Sequence, residues 1–109
     1  MTQYQIYWAK LPPPIGRRPV LLLSRPAAYK YLHRVIVAEV TTTIRGIPQE
    51  LRLGKREGLT FASVANFDNL HLVDKDKLES LIGTLAKDRH LEVKSAVGHA
   101  LGWPELITL

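Results

Sequence analysis

The chain has 109 residues, of which 46% are hydrophobic and 23% are charged, a composition typical of one folded domain over residues 1–109. It contains no cysteine, which excludes a disulfide framework and a thiolate metal site. The apolar run at residues 20–23 is far too short to cross a bilayer, and the N-terminus lacks a signal-peptide pattern. We therefore expect a cytoplasmic protein that makes no membrane contact.

Charge is unevenly distributed along the chain. Residues 1–56 carry ten basic and two acidic residues, whereas residues 57–109 carry five basic and eight acidic residues. A basic half of this kind is typical of a surface that faces a polyanion. A solvated basic face that binds nothing in particular accounts for the charge equally well.

Alternation of apolar and polar residues predicts a mainly β chain. The third strand, residues 34–43, should place Val35, Val37, Glu39 and Thr41 on one face. The other predicted strands lie at residues 3–9, 19–24, 49–53, 61–67, 69–73 and 81–85, with a kink at Asp68 between the fifth and sixth. So many short strands favour a compact, strongly bent antiparallel sheet or small barrel.

Helical signals are fewer. Residues 26–32 could form one or two turns with Pro26 at the first helical position, and Asp74 is a candidate N-cap for another helix. The closing helix is predicted at residues 87–101, ended by Gly102 and Pro104, with a buried stripe of Val93, Val97, Ala100 and Leu101.

Several kinds of catalytic site are excluded by the motifs. The four histidines lack metal-ligand spacing, and the chain has no nucleophile elbow, P-loop or glycine-rich dinucleotide turn. An enzyme with this sequence is therefore expected to work without a metal or an organic cofactor.

The remaining candidate is an arginine beside hydroxyl groups. Arg18 precedes a rigid buried strand, and a threonine triplet, residues 41–43, ends the third strand. If these strands are neighbours, the Arg18 guanidinium and the Thr41 hydroxyl could hold one phosphate and stabilise a five-coordinate phosphorus during attack by an RNA 2′-hydroxyl. The same residues are also common at a strand entry and in a strand, so this pattern alone leaves catalysis open.

Motifs spread over nearly the whole chain make a more specific pattern. In order they are IYW at residues 6–8, PPIG at 13–16, RPVLLLS at 18–24, VIVAEVT at 35–41, RGIP at 45–48 and SVANFDNL at 63–70. Together they resemble the MazF/PemK family of toxin endoribonucleases, or mRNA interferases. The resemblance implies a small SH3-like barrel of the CcdB/PemK type with a C-terminal helix, and a homodimer. It also implies metal-independent, sequence-selective cleavage of single-stranded RNA, and neutralisation by an acidic antitoxin.

The resemblance also implies site residues. The paired catalytic Arg and Thr of the family map onto Arg18 and Thr41, and an Asp of PemK-type members maps onto Asp68, while Asn66 stands where those members have an Arg. The chain begins its first strand without the family's Arg-Gly-Asp or Arg-Gly-Glu. Its short loop before Arg17 also lacks the Glu or His that many members have there.

Other residues could supply the missing proton transfer. Glu39 shares a strand face with Thr41 and is a candidate base, with a structural salt bridge as the alternative. His71 could protonate the leaving 5′-oxygen or be purely structural, and Asp68 could brace Arg18 or cap a turn. Residues expected to guide the RNA strand are Arg17, Arg25, Arg45, Arg52, Lys55 and Arg56.

Two rival functions remain open at this point. A non-catalytic toxin on the same fold could inhibit a protein such as a topoisomerase, acting through its C-terminal helix without cleaving RNA. A plain RNA-binding module would bind in a salt-sensitive way and release no product.

Overall fold

This computed structural model describes residues 1–107, in which the chain forms six strands and three helices. The last two residues of the predicted 1–109 domain lie outside the described residues. The strands and helices are β1 (Gln5–Lys10), β2 (Arg17–Leu22), α1 (Ala28–Tyr31), β3 (Arg34–Thr41), β4 (Glu50–Leu53), β5 (Ser63–Asp74), β6 (Leu78–Thr84), α2 (His90–Leu101) and α3 (Pro104–Ile107). Single 3₁₀ turns lie at Lys55–Glu57, Lys75–Lys77 and Lys87–Arg89. None of the helices in this described part is long and apolar enough to span a membrane.

The strands form one curled antiparallel sheet in the order β4-β5-β3-β2-β1-β6. β2, β3 and β5 therefore lie side by side, although β3 and β5 are far apart in sequence. The prediction of a mainly β, strongly bent antiparallel fold with a C-terminal helix is confirmed. This order also brings the start of β2 next to the end of β3.

Alternating side chains of the sheet pack into two hydrophobic cores, one on each side. Along β3, Ala38 and Val40 join the core beneath α2, which also holds Ile6, Leu21, Phe67, Val93 and Ala96. Val35 and Val37 join the second core, together with Val20, Leu22, Ala28 and Val73. Because both faces of the central strands are covered, the backbone that carries the strand-end side chains is held rigidly.

β5 is continuous where two strands with a kink at Asp68 were predicted. Its register against β3 shifts within this segment: Glu39 pairs with Asn66, whereas the preceding residue, Ala38, pairs with Leu70. Residues 67–69 are thus extra residues of a β-bulge, which absorbs the kink without ending the strand.

The predicted helix at Asp74 is wrong. Residues Lys75–Lys77 form a single 3₁₀ turn, and the carboxylate of Asp74 accepts a hydrogen bond from Nε of Arg34 at 3.1 Å instead of capping. The chain then enters β6 at Leu78, three residues before the predicted start, because residues from Leu78 onward pair with β1. Pairing between distant strands has here overridden a local helix signal.

The C-terminal helix keeps most of its predicted stripe. Val93 is buried and Val97 and Ala100 are partly buried, but Leu101 is 47% exposed. It is the last residue of the helix, before Gly102 at φ +71°. α3 then packs back on Gly98, where a Cβ atom would lie 2.9 Å from the backbone oxygen of Trp103. The earlier helix, α1, begins at Ala28 and not at Pro26.

Candidate functional site

A pocket of about 210 Å³ lies where β2 begins and β3 ends. We call it the strand-end pocket. Its lining is rich in hydrogen-bond donors and consists of Arg18, Glu39, Thr41, Thr43, Arg45, Asn66 and Asn69. A single water needs only about 10–15 Å³ of such space, so the pocket can admit a polyatomic group.

Arg18 is held by a carboxylate on the neighbouring strand. Val20 of β2 pairs with Glu39 of β3, so Arg18, two residues before Val20, lies on the same face as Glu39. Nη1 of Arg18 lies 3.0 Å from Oε1 of Glu39. The Arg18 side chain is 36% exposed and that of Glu39 is 11% exposed, so the guanidinium sits at the rim and the carboxylate beneath it.

The second oxygen of Glu39 contacts a histidine on β5. Oε2 of Glu39 lies 3.1 Å from Nε2 of His71, whose side chain is 23% exposed. In an unbroken strand His71, five residues after Asn66, would point to the opposite face. The bulge at residues 67–69 reverses this alternation, because Asn66 pairs with Glu39 and His71 pairs with Val37 on the same face of β3.

Thr41 is oriented by the backbone that follows it. Its Oγ1 accepts a hydrogen bond from the backbone N–H of Thr43 at 3.1 Å. A hydroxyl that accepts from the protein keeps its own proton available for donation. Thr41 therefore meets Arg18 in the strand-end pocket as a second hydrogen-bond donor.

The loop after β3 brings in a second arginine. The carboxylate of Glu50 accepts hydrogen bonds from the backbone N–H groups of Arg45 (3.1 and 3.2 Å) and Gly46 (2.9 Å). Gly46 adopts φ +73°, which suits glycine. This tight turn holds the backbone of Arg45, which also lines the strand-end pocket.

Asn66 is buried at 4% exposure, and its Oδ1 accepts a hydrogen bond from the backbone N–H of Asp68 at 2.9 Å. With the oxygen engaged, the Asn66 amide group is available as a donor. Asp68 itself is exposed on the bulge, and the carboxylate that braces Arg18 is Glu39. The suggestion that Asp68 braces Arg18 is therefore wrong for this structure.

The other predicted RNA-guiding residues lie away from the pocket lining. Arg17 stacks 4.1 Å above the ring centroid of Trp8 and pairs with Glu79 at 2.7 Å. Arg56 pairs with Asp88 at 3.2 Å. Exposed positions elsewhere on the chain are occupied by Arg25, Arg52 and Lys55.

Two lining residues were not predicted from the sequence: Asn69 was not named as a site residue, and Asn66 was given no role. Both belong to the bulge or its edge, and the available signal was their spacing around the expected kink at Asp68. Their position on the pocket wall could not be read without knowing which residues of β5 oppose the end of β3.

Shifted pKa values occur on side chains outside the strand-end pocket. Hydrogen bonds from Arg89 lower the pKa of Glu92, and those with Glu92 in turn raise the pKa of Arg89. Burial raises the pKa of Tyr29 to about 12. Within residues 1–107, no group of three or more His, Cys, Asp or Glu side chains is placed to hold a metal ion.

The chain is similar to known toxins along most of its length. Residues 2–101 match the family described as PemK-like, MazF-like toxin of type II toxin-antitoxin system. A relative named "Probable endoribonuclease MazF5", from Mycobacterium tuberculosis (strain ATCC 25618 / H37Rv), is 36% identical over 94 residues, which are 85% of this chain and 85% of the relative.

Solved structures agree with this similarity. The structure of "Mycobacterium tuberculosis toxin MazF-mt6" superposes with a TM-score of 0.84 at 33% identity, covering 90% of this chain and 96% of that one. "Endoribonuclease in complex with its cognate antitoxin from Mycobacterial species" superposes with a TM-score of 0.83 at 28% identity, covering 95% and 97%. The resemblance seen in the sequence motifs is therefore confirmed, and the chain belongs to the PemK-like, MazF-like toxins of type II toxin-antitoxin systems.

Proposed function

We propose that this toxin is an endoribonuclease that cleaves single-stranded RNA at the strand-end pocket, in a sequence-selective way and without a metal. The observation that carries the proposal is the convergence of donors from Arg18, Thr41, Arg45 and Asn66 on one cavity of about 210 Å³. The acidic lining residue, Glu39, is already paired with Arg18. Such a cavity suits a phosphodiester, which is anionic and rich in acceptor oxygens.

The reaction that fits these residues is internal transesterification. The ribose 2′-oxygen forms a bond to the adjacent phosphorus, the bond from phosphorus to the 5′-oxygen breaks, and the products carry a 2′,3′-cyclic phosphate and a 5′-hydroxyl. Negative charge builds on the non-bridging oxygens as the five-coordinate phosphorus forms. Arg18 contributes fixed positive charge and a bidentate grip, and Thr41 contributes one directional hydrogen bond.

Two proton transfers complete the reaction. The 2′-hydroxyl loses a proton, and the departing 5′-oxygen gains one. We assign the second transfer to His71, whose Nε2 contacts the lining residue Glu39 at 3.1 Å; with both ring nitrogens protonated, its Nδ1 gives up one proton and the ring is left neutral. Solvent water takes up the proton of the 2′-hydroxyl.

Binding of the RNA strand rests on the basic half of the chain. Arg45 lies in the pocket, and the outlying basic residues can contact phosphates on either side of the scissile one. Those outlying residues are Arg17, Arg25, Arg52, Lys55 and Arg56. Exposed aromatic side chains such as Phe61, which is 69% exposed, offer faces on which bases can stack.

The partners and location follow from this activity. We propose an acidic antitoxin as the neutralising partner, a homodimer as the working form, and the cytoplasm as the site of action, because a cleavable RNA substrate is found there. The structure named as an endoribonuclease with its cognate antitoxin, at 28% identity and TM-score 0.83, supports the first of these.

The test is cleavage of a long RNA by the purified protein in EDTA, with the ends of the products mapped chemically. We expect 5′-hydroxyl and 2′,3′-cyclic phosphate ends, and we expect Arg18→Ala to lower the rate by at least about 100-fold. Arg34→Ala, which removes an exposed arginine that pairs with Asp74, is the matched control and should cleave normally. Retained cleavage by a folded Arg18→Ala variant would exclude the assigned role.

The same experiment decides between this proposal and its rivals. A topoisomerase inhibitor or a plain RNA-binding module would release no RNA fragments. The named relatives that are endoribonucleases, together with the donor-lined pocket, favour the enzyme.

A further inference from the structure

Glu39 is the acidic residue among those that line the strand-end pocket, and it is 9% exposed. A negative charge beside a phosphate site repels the substrate, so we expect the Glu39 carboxylate to have a structural or catalytic role that outweighs this repulsion. Both of its oxygens are engaged, one with Arg18 at 3.0 Å and the other with His71 at 3.1 Å. These two contacts indicate the role of the carboxylate.

We infer that Glu39 is a positioning residue that acts through Arg18, and that His71 fixes the orientation of the Glu39 carboxylate. The inference rests on the proposed function, since it concerns the same pocket. The sequence left Glu39 as either a general base or a member of a salt bridge, and the inference develops the second alternative, since Glu39 is paired with Arg18. A general base must take a proton from the 2′-hydroxyl, and protonation of Glu39 would remove its attraction to the guanidinium on which the reaction depends.

Arg18 needs such a partner because of where it lies. It lies at the start of β2 with 36% of its side chain exposed, and a free arginine side chain samples many rotamers. The ion pair removes this freedom before RNA binds. A guanidinium has five N–H donors, so pairing through Nη1 still leaves donors for a phosphate.

The backbone makes Glu39 a rigid anchor. Its neighbours Ala38 and Val40 are buried at 0% and 2% exposure, and β3 is paired on both sides, with β2 and with β5. The contact with His71 depends on the bulge at residues 67–69, which turns the histidine toward this face. Contacts therefore run from His71, which is not part of the pocket lining, through Glu39 to the proposed catalytic guanidinium of Arg18.

The test compares single-turnover and steady-state cleavage by wild type, Glu39→Gln, Arg18→Lys and the double variant. We expect Glu39→Gln to lower kcat about 10- to 100-fold, because a displacement of about 1 Å in a catalytic group has an effect of this size. KM should stay within about threefold, because the phosphate contacts from Arg45 and Thr41 remain. In the Arg18→Lys background, Glu39→Gln should change kcat by less than about threefold, because the planar guanidinium that Glu39 positions is already absent.

Glu92→Gln is the matched control, since Glu92 also pairs with an arginine but lies on α2, and it should leave cleavage unchanged. If Glu39→Gln lowers the folded fraction, Glu39→Asp, whose shorter side chain reaches less far, should give an intermediate kcat with the same lack of additivity. Additive losses in the double variant, or unchanged kcat in Glu39→Gln, would overturn the positioning role. Absence of cleavage by the wild-type protein would overturn the proposed function and this role together.

Discussion

The backbone N–H of Thr43 donates a hydrogen bond to the hydroxyl oxygen of Thr41 at 3.1 Å, just past the end of β3. This contact engages one lone pair of the hydroxyl oxygen and leaves the hydroxyl proton free to be donated. Thr41 thus lines the pocket shared with Arg18 with an available donor.

Replacing Thr41 by valine, which keeps the shape and removes the hydroxyl, should lower kcat about 100- to 1,000-fold, the usual effect of losing one preorganised donor to a developing charge. Thr41→Ser should retain most activity. Thr42→Val, at an exposed neighbour outside the pocket lining, is the control. Single-turnover cleavage rates measure all three, and a Thr41→Val enzyme as fast as Thr42→Val would contradict the assignment.

Arg45 should contribute to binding and little to chemistry. We expect Arg45→Ala to weaken binding of single-stranded RNA and to reduce the slope of log K against log salt concentration by about 0.7, the value for one phosphate contact. RNA with 2′-methoxy groups, which cannot be attacked, allows binding to be measured without cleavage. An unchanged slope would mean that the Arg45 side chain does not meet a phosphate. Arg34→Ala again serves as the control.

Gly83 should be intolerant of any side chain. A Cβ atom at this position in β6 would lie 2.0 Å from the backbone oxygen of Glu57, so the two segments would have to separate. We expect Gly83→Ala to lower the free energy of unfolding by about 3 kcal/mol. Gly54→Ala, where a Cβ would have no atom within 4 Å, should have a much smaller effect. Urea unfolding of both variants checks the difference, and equal losses would contradict the predicted clash.

Low pH should remove the stabilising interaction between Arg89 and Glu92 at the start of α2. The hydrogen bond from Arg89 lowers the pKa of Glu92, so the ionised form stabilises the fold above the ordinary pKa of 4.5, and this contribution is lost as the pH falls through the lower folded-state value. At pH 7 we expect Glu92→Gln to lower Tm by about 2 °C, as for a single helix pair. The difference from wild type should vanish at low pH. A Tm difference between wild type and Glu92→Gln that stays constant as the pH falls would contradict this linkage.

Local sequence patterns predicted most of the strands because apolar alternation and turn residues are visible within short segments. The buried alternation of β3 and the close pairing of β1 with β2 follow from apolar residues and rigid turns near them in sequence. The helix expected at Asp74 does not form, because contacts with distant residues determine the structure there. Arg34 donates a hydrogen bond to the Asp74 carboxylate, and the chain from Leu78 onward pairs with β1. A single sequence without strand register contains no sign of either contact.

The candidate site divides in the same way. That Arg18 and Thr41 meet in one pocket could be predicted from adjacent strand ends and from the family resemblance. The contacts of Glu39 with both Arg18 and His71 could not, because they depend on how β5 is offset against β3. The roles of these side chains in cleavage stay predictions until the variants above are assayed.

The number of residues in the β5 bulge determines which side chains of β5 face the candidate site. Three unopposed residues, an odd number, separate the half of β5 that faces the end of β3 from the half that carries His71. Lengthening or shortening this segment by one would change which side of the strand every later residue occupies, unless the bulge itself re-formed with a different shape. Homologous toxins that differ by an insertion here should therefore bring a different side chain beside the residue equivalent to Glu39. A natural change in the length of the bulge could thus alter the candidate site without substituting any residue in it.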